Sequence, residues 1–250
     1  MARYDFRTPR LFIDAPLAAG AEVALHEGQA NYLFNVLRLA PGEALLAFNG
    51  RDGEWRGELL RPGKRRAALI AREMTRAQTQ PADLHYLFAP LKAARLDYMV
   101  QKAVECGVSR LQPVITRHTQ AARVNVERMA ANAIEAAEQC GILTIAQAHA
   151  PLPLDRALAA LDDARMLVFC DEDSDTRDPV AALSPMRGAG APVSLAVLVG
   201  PEGGFAQEER AQILARGNVV RLALGPRILR ADTAAVAALT LVQSVLGDWV

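Results

Sequence analysis

Two stretches have residue types and spacing that suit holding a small polar ligand: Leu198-Val-Gly-Pro-Glu-Gly-Gly-Phe205 and Leu222-Ala-Leu-Gly-Pro-Arg-Ile-Leu-Arg-Ala-Asp-Thr-Ala234. Each follows an apolar, β-branched run, precedes a helical pattern, and turns on a Gly-Pro pair, Gly200-Pro201 or Gly225-Pro226. Glycine adopts backbone angles that other residues resist, and proline fixes the next φ. Two such loops side by side predict a pocket lined by main-chain N–H and C=O groups. Neither carries the glycine fingerprint of a dinucleotide or P-loop site. Glu202 inside the first loop opposes a phosphate and suits a cationic ligand. A plain strand-to-helix turn is the simpler alternative.

Arg227 and Arg230 flank Ile228-Leu229, and Asp232 follows. Two guanidiniums and a carboxylate at a strand end are suited to stabilising charge on a reacting base. Asp232 also fits the N-cap of the last helix. Arg61-Pro-Gly-Lys-Arg-Arg66 is a basic turn, and Arg3, Arg7 and Arg10 add to the same region. Such clusters can track phosphates, although a basic hairpin is more often merely solvated. Asp171-Glu-Asp-Ser-Asp175 lacks the glycine and distal glutamate of a calcium loop and reads as a solvated acidic loop. His26, His85, His118 and His149 form no ligand spacing, so no metal is expected. Ser184 and Ser194 lack a nucleophile-elbow context.

The elements that must position these residues change character along the chain. Residues 10–72 read as β-rich. Strands are expected at Arg10–Ile13, Ala44–Phe48, Glu54–Leu59 and Arg66–Ile70, with hairpin signals at Asn49-Gly50 and Asp52-Gly53. A helix-like spacing over Gly28–Leu39 puts Leu33, Val36 and Leu37 on one side. Short strands at this spacing suggest a small barrel. Residues 74–82 are polar and read as a linker. Beyond them, strands at Leu84–Ala89, Leu111–Ile115, Met166–Cys170, Val193–Val199 and Val219–Leu224 alternate with helical patterns. That alternation indicates a parallel sheet covered on both faces, with ligands at the carboxyl ends of its strands. The last helix, Ala234–Leu246, is apolar nearly all round. It predicts burial on every side, by the chain itself or by a second copy.

Composition sets bounds. The chain has 250 residues, which suits one large domain or two smaller ones, and 51% hydrophobic residues, enough for a real core. No segment approaches the length of a membrane span, and the N-terminal residues lack a signal-peptide core, so a cytoplasmic protein without membrane association is expected. The 28 basic and 28 acidic residues cancel, so global charge does not point to a nucleic acid. Cys106, Cys140 and Cys170 have no C-x-x-C spacing and read as buried small apolar residues.

Five segments in order carry a family resemblance: Asn35-Val-Leu-Arg-Leu39 with Gly42, Lys92 with Gln101–Val108, Glu135-Ala-Ala-Glu-Gln-Cys140, Leu198–Phe205 and Leu222–Arg230. Together they span nearly the whole chain. They resemble the bacterial small-subunit rRNA uridine-N3 methyltransferases of the SPOUT class, known as ribosomal RNA small subunit methyltransferase E. Three places depart from the family pattern. Ala30-Asn31 stands where a histidine pair is common, Asp232 where glutamate is usual, and Gly141-Ile142-Leu143 lacks an arginine.

The resemblance implies an α/β fold: a PUA-like β-barrel over residues 1–73, then a SPOUT methyltransferase domain over 83–250 with a C-terminal trefoil knot. It implies S-adenosyl-L-methionine as methyl donor, a homodimer, and small-subunit rRNA or an assembled small subunit as substrate. The cofactor is then expected on Leu198, Val199, Gly200, Glu202, Gly203 and Gly204 of the first loop, and on Leu222, Leu224, Gly225, Ile228 and Leu229 of the second. Arg230 is the expected charge stabiliser. Asp232 orients it or accepts a proton, and Arg10 assists from the barrel. RNA is expected on Arg38, Arg61, Lys64, Arg65, Arg66 and Lys92. A SPOUT enzyme acting on another RNA nucleotide, or a non-catalytic RNA-binding or ribosome-assembly protein on the same fold, stays open.

Overall fold

A computed structural model describes residues 5–63, 66–121, 123–175, 178–187 and 194–249. The chain divides into two units: Met1–Gln80 with Ala137–Ile145, and Pro81–Ala136 with Ala146–Val250.

The first unit holds β1 (Arg10–Phe12), β2 (Glu22–Leu25), α1 (Glu27–Asn31), β3 (Ala44–Phe48), β4 (Glu54–Gly63) and β5 (Arg66–Arg76). The five strands form one sheet in the order β1-β3-β4-β5-β2. β1 runs parallel to β3 and the other pairs are antiparallel. Register shifts between β4 and β5 are bulges, which bend and twist a strand pair. Leu33, Leu45, Leu59 and Leu69 are fully buried at its centre. At the Asn49-Gly50 and Asp52-Gly53 turns, the Asn49 side-chain oxygen accepts from the Arg51 and Asp52 N–H groups.

Three expectations change here. The expected linker begins inside β5, because Trp55 pairs with Met74 and Arg76 donates to the Gly141 carbonyl at 2.7 Å. Val36 and Leu37 do not share the buried face of Leu33. Tyr32–Val36 is a π-helical turn, and its wider period swings Val36 out to 61% exposure. Arg10, expected to assist at the site, is engaged in a structural clamp. Its Nε donates to Glu54 at 2.6 Å and its terminal nitrogens donate to the Ala137 and Ile142 carbonyls, the latter at 2.7 Å. Both members of the Arg10–Glu54 pair are buried, and burial pulls the Arg10 pKa below its usual value.

The second unit holds β6 (Leu84–Phe88), α2 (Ala93–Glu105), β7 (Arg110–Ile115), α3 (Val126–Cys140, its last turn belonging to the first unit), β8 (Gln147–Ala148), β9 (Leu152–Pro153) and α4 (Leu154–Ala159). After these come β10 (Met166–Cys170), α5 (Pro179–Leu183), β11 (Leu195–Val199), α6 (Gln207–Leu214), β12 (Val219–Leu222) and α7 (Ala231–Leu246). The sheet order is β12-β10-β11-β6-β7-β8, with β9 beside β7, and every pair is parallel. Leu195-Ala-Val-Leu-Val199 is buried at every residue, as a strand covered on both faces must be. The chain leaves β11, crosses β10 and returns as β12. The ends of β11 and β12 therefore flank the end of β10.

α7 packs against α2 and β11. Eight of its residues, among them Ala235, Ala238, Leu239 and Val242, are buried, while Val236, Ala237, Leu241 and Val245 are only half-buried. The chain alone thus leaves part of this apolar helix uncovered. Of the cysteines, Cys106 is buried and Cys170 half-buried. Cys140 is exposed, against expectation, because it lies at the end of α3. Among the described residues no helix is long and apolar enough to cross a membrane.

Candidate active site

A cleft with about 890 Å³ of empty space, part of it open to solvent, lies at the carboxyl ends of β10, β11 and β12. Its walls are the loops at 200–206 and 223–230 and the segment that follows β10. The first loop is tightly braced. Gly204 adopts φ +68° and its N–H bonds the Pro201 carbonyl at 2.9 Å. The Phe205 ring folds back onto Gly200 and meets Phe169 edge-on at 5.3 Å. A Cβ on Gly200 would lie 2.4 Å from that ring, so close approach dictates glycine there. Glu209 of α6 accepts from the Ala206 N–H at 2.9 Å and the Arg117 N–H at 2.7 Å. His118 Nδ1 sits 3.1 Å from the Gly204 carbonyl oxygen.

The second loop is looser. Gly225 adopts φ +93°, and a Cβ there would meet nothing within 4 Å. Backbone angle, not crowding, calls for this glycine. Ile228 is 89% exposed, an apolar side chain held over the cleft. Among the described residues, 223–230 make no side-chain hydrogen bond.

Two charge bridges join the loops. At the base, Asp171 accepts from Arg210 of α6 at 3.0 and 3.3 Å and from Arg221 of β12 at 2.7 Å. Its backbone N–H also reaches the Leu222 carbonyl at 3.0 Å. Burial pushes the Asp171 carboxyl up, but the two guanidiniums outweigh that and hold it below the usual range. The expected solvated acidic loop is therefore corrected at its first residue: Asp171 is buried because it bridges α6 and β12. At the rim, Arg95 in the first turn of α2 donates to both Asp232 oxygens, at 3.0 and 3.2 Å, and to Glu202 at 2.6 Å. Glu202 thus shares a single guanidinium with Asp232, and the three side chains together keep a net negative charge.

Of the eleven residues expected at the cofactor, Val199, Gly200, Glu202 and Gly204 line the cleft from the first loop. Leu222, Leu224, Gly225, Ile228 and Leu229 line it from the second. Leu198 is fully buried in the core beneath, and a Cβ on Gly203 would point at His118, 3.3 Å away, not into the cleft. Arg230 is the N-cap residue of α7, with its side chain exposed and outside the cleft wall; Arg227 lines the wall instead. Asp232 does not cap α7, because the helix begins one residue before it, at Ala231. The carboxylate turns to Arg95, which holds it below the ordinary carboxylate pKa and makes it a poor proton acceptor.

Among the residues expected at RNA, Arg38 is exposed and adopts φ +57°, rare for a residue with a side chain. The Arg61 guanidinium lies 4.6 Å from the centre of the Phe34 ring. Arg66 is exposed at the start of β5, whereas Lys64 and Arg65 lie outside the described residues. Lys92 is the exposed N-cap of α2 and lines a smaller cleft that shares Pro201 and Glu202 with the larger one. Sequence reasoning missed Arg95, Arg210 and Arg221. The rim partners stand 107 and 137 positions from Arg95, so no local spacing could have paired them.

A parallel sheet with a cleft at its carboxyl edge, preceded by a small β unit, is the architecture of an α/β protein with a ligand site where such sheets carry one. The chain belongs to the RNA methyltransferase domain family, which matches residues 78–243, and an RNA methyltransferase PUA domain matches residues 25–71. It is similar to the ribosomal RNA small subunit methyltransferase E of Rickettsia conorii, with 28% identity over 94% of each chain. The protein of the same name from Synechocystis is 29% identical over 95% of this chain and 78% of its own length. A crystal structure of a ribosomal RNA small subunit methyltransferase E from Neisseria gonorrhoeae, bound to S-adenosyl methionine, superposes with a TM-score of 0.81. That match is 28% identical and covers 98% of this chain and all of the other.

Proposed function

We propose that this RNA methyltransferase moves a methyl group from S-adenosyl-L-methionine to N3 of a uridine in small-subunit ribosomal RNA, acting in the cytoplasm as a homodimer whose C-terminal segment forms a trefoil knot. The cleft between the two glycine loops carries the reading. The left-handed backbone at Gly204 and Gly225 and the open space above Gly225 leave main-chain groups within reach of a ligand, which suits the polar edge of an adenine. Val199, Leu224, Ile228 and Leu229 offer apolar contact to its faces. When bound, S-adenosyl-L-methionine supplies a methyl carbon on an activated sulfonium leaving group.

The chain's own residues then manage charge. Uracil N3 keeps its proton near neutral pH, so attack needs that proton lost to water and the negative charge on the carbonyl oxygens stabilised. Arg230 and Arg227, exposed and without side-chain partners among the described residues, are the cations available on the second loop. Asp232, paired to Arg95, positions the start of α7. Arg38, Arg61 and Arg66 of the first unit and Lys92 of the second are suited to RNA phosphates. The half-buried face of α7, with Trp249 at 50% exposure, supports cover by a second copy.

The test is single-turnover methyl transfer to small ribosomal subunits, with the product nucleoside mapped by mass. The expected product is 3-methyluridine at one position; a different base or atom overturns the assignment. Arg230→Ala should slow transfer roughly 10²–10³-fold with little change in cofactor affinity. If Arg227→Ala takes that loss and Arg230→Ala does not, the role moves to Arg227. Sedimentation at low concentration tests the dimer, and an active monomer would sink it.

A further inference from the structure

The geometry points to Arg95 as the positioning residue that makes the two glycine loops a single cofactor-binding unit. This rests on the reading that the cleft takes S-adenosyl-L-methionine. Arg95 stands on α2, which contributes no residue to the wall of the main cleft. Its guanidinium spans the rim. Nε and one terminal nitrogen take the two Asp232 oxygens, and the other terminal nitrogen takes Glu202. Glu202 belongs to the first loop, and Asp232 lies just past the end of the second.

Each loop needs this contact to a different degree. The first has separate braces in Phe205, His118 and Glu209. The second makes no side-chain hydrogen bond within 223–230 among the described residues, so the Asp232 contact fixes its far end. Remove the guanidinium and two carboxylates are left across the rim with no cation between them. The loops then lose their shared reference to α2, and the cofactor must pay the entropy of ordering the second loop. Lysine cannot replace the fork. It is a point charge without the planar geometry that serves three oxygens on two side chains.

The experiment uses the full chain with Arg95→Gln, Arg95→Lys, Glu202→Gln and the Arg95→Gln/Glu202→Gln double variant. S-adenosyl-L-methionine binding is read by calorimetry. Arg95→Gln should weaken it at least about tenfold, with Arg95→Lys close behind. The double variant should bind no worse than Arg95→Gln alone, because both changes cut the same link. KM for the cofactor should rise more than kcat falls. A ligand-independent arm follows amide exchange in the free protein: Arg95→Gln should speed exchange across 223–230 and, to a lesser extent, across 200–206. Affinity within twofold of the unsubstituted chain, additive losses in the double variant, or unchanged exchange in both loops would each overturn the inference. If the unsubstituted chain fails to bind S-adenosyl-L-methionine, the cofactor reading falls, and the exchange arm still decides the role of Arg95.

Discussion

The base and the rim of the cleft solve one problem with opposite charges. At the base a single carboxylate, Asp171, gathers two guanidiniums; at the rim a single guanidinium, Arg95, gathers two carboxylates. Each links the element after β11 to the element around β12. Their surroundings differ. The Asp171 side chain is 3% exposed, whereas Arg95 is 33% and Glu202 45% exposed. Buried pairs are costly to break, because the partner left behind is a desolvated charge. Exposed pairs contribute little to stability, because water screens them. The base bridge therefore belongs to the fold, and the rim bridge is free to be tuned for function.

The largest expected effect tests that division. Asp171→Asn leaves Arg210 and Arg221 facing a neutral amide in a buried position. The Arg210 and Arg221 side chains left behind are 30% and 28% exposed, so water screens them in part, and the loss should be about 1.5–3 kcal/mol, lowering the thermal midpoint by roughly 3–12 °C. Arg95→Gln should cost less than about 1 kcal/mol in the same scan. Equal losses would erase the distinction between base and rim.

The next contrast concerns the two loops. Gly200→Ala drives a Cβ into the Phe205 ring, 2.4 Å away, and pushes that ring off Phe169. Overpacking of this kind costs about 1–3 kcal/mol. Gly225→Ala meets no atom within 4 Å and suffers only the left-handed backbone penalty, about 1–2 kcal/mol. Denaturant midpoints should rank Gly200→Ala as the more damaging change. The reverse order would mean that the second loop is the more tightly built of the two.

What could be read from the sequence follows the same line between local and distant contacts. The strands of the parallel sheet announce themselves as compact apolar runs, and α7 as a long apolar helix, because those signals are local. The paired glycine loops were legible for the same reason. The bridges were not. Asp171 looked like part of a solvated acidic run until Arg210 and Arg221, 39 and 50 positions away, closed on it. Arg10 looked like a reactive cation because nothing near it in sequence says that Glu54, Ala137 and Ile142 will surround it. Val36 misled because a π-helical turn breaks the 3.6-residue period that the pattern assumed. The short β8 and β9 carried too few residues to show any period.

The last expected effect is a pH dependence that both bridges should leave alone. Asp171 and Asp232 are held below the ordinary carboxylate range, so the stability they contribute is present above the unfolded-state value of 3.8 and is lost only as pH falls below it. His85, on β6 at the amino end of the sheet, behaves differently. Its Nδ1 is buried without a hydrogen-bond partner, and burial, aided by Arg165 and Arg110, lowers its pKa from 6.5 to about 4. The unfolded chain takes up a proton at 6.5 and the folded chain refuses it until about 4, so stability falls with acidification between those values. The slope can reach about 1.4 kcal/mol per pH unit, less whatever solvent screening removes. Chemical denaturation at pH 7, 6 and 5 should show a decline that His85→Gln flattens. S-adenosyl-L-methionine affinity should stay level over the same interval, because Asp171 and Asp232 remain ionised. A drop in affinity that tracks the drop in stability would tie the cleft to the opposite end of the sheet, and neither bridge would then isolate the loops from the fold beneath them.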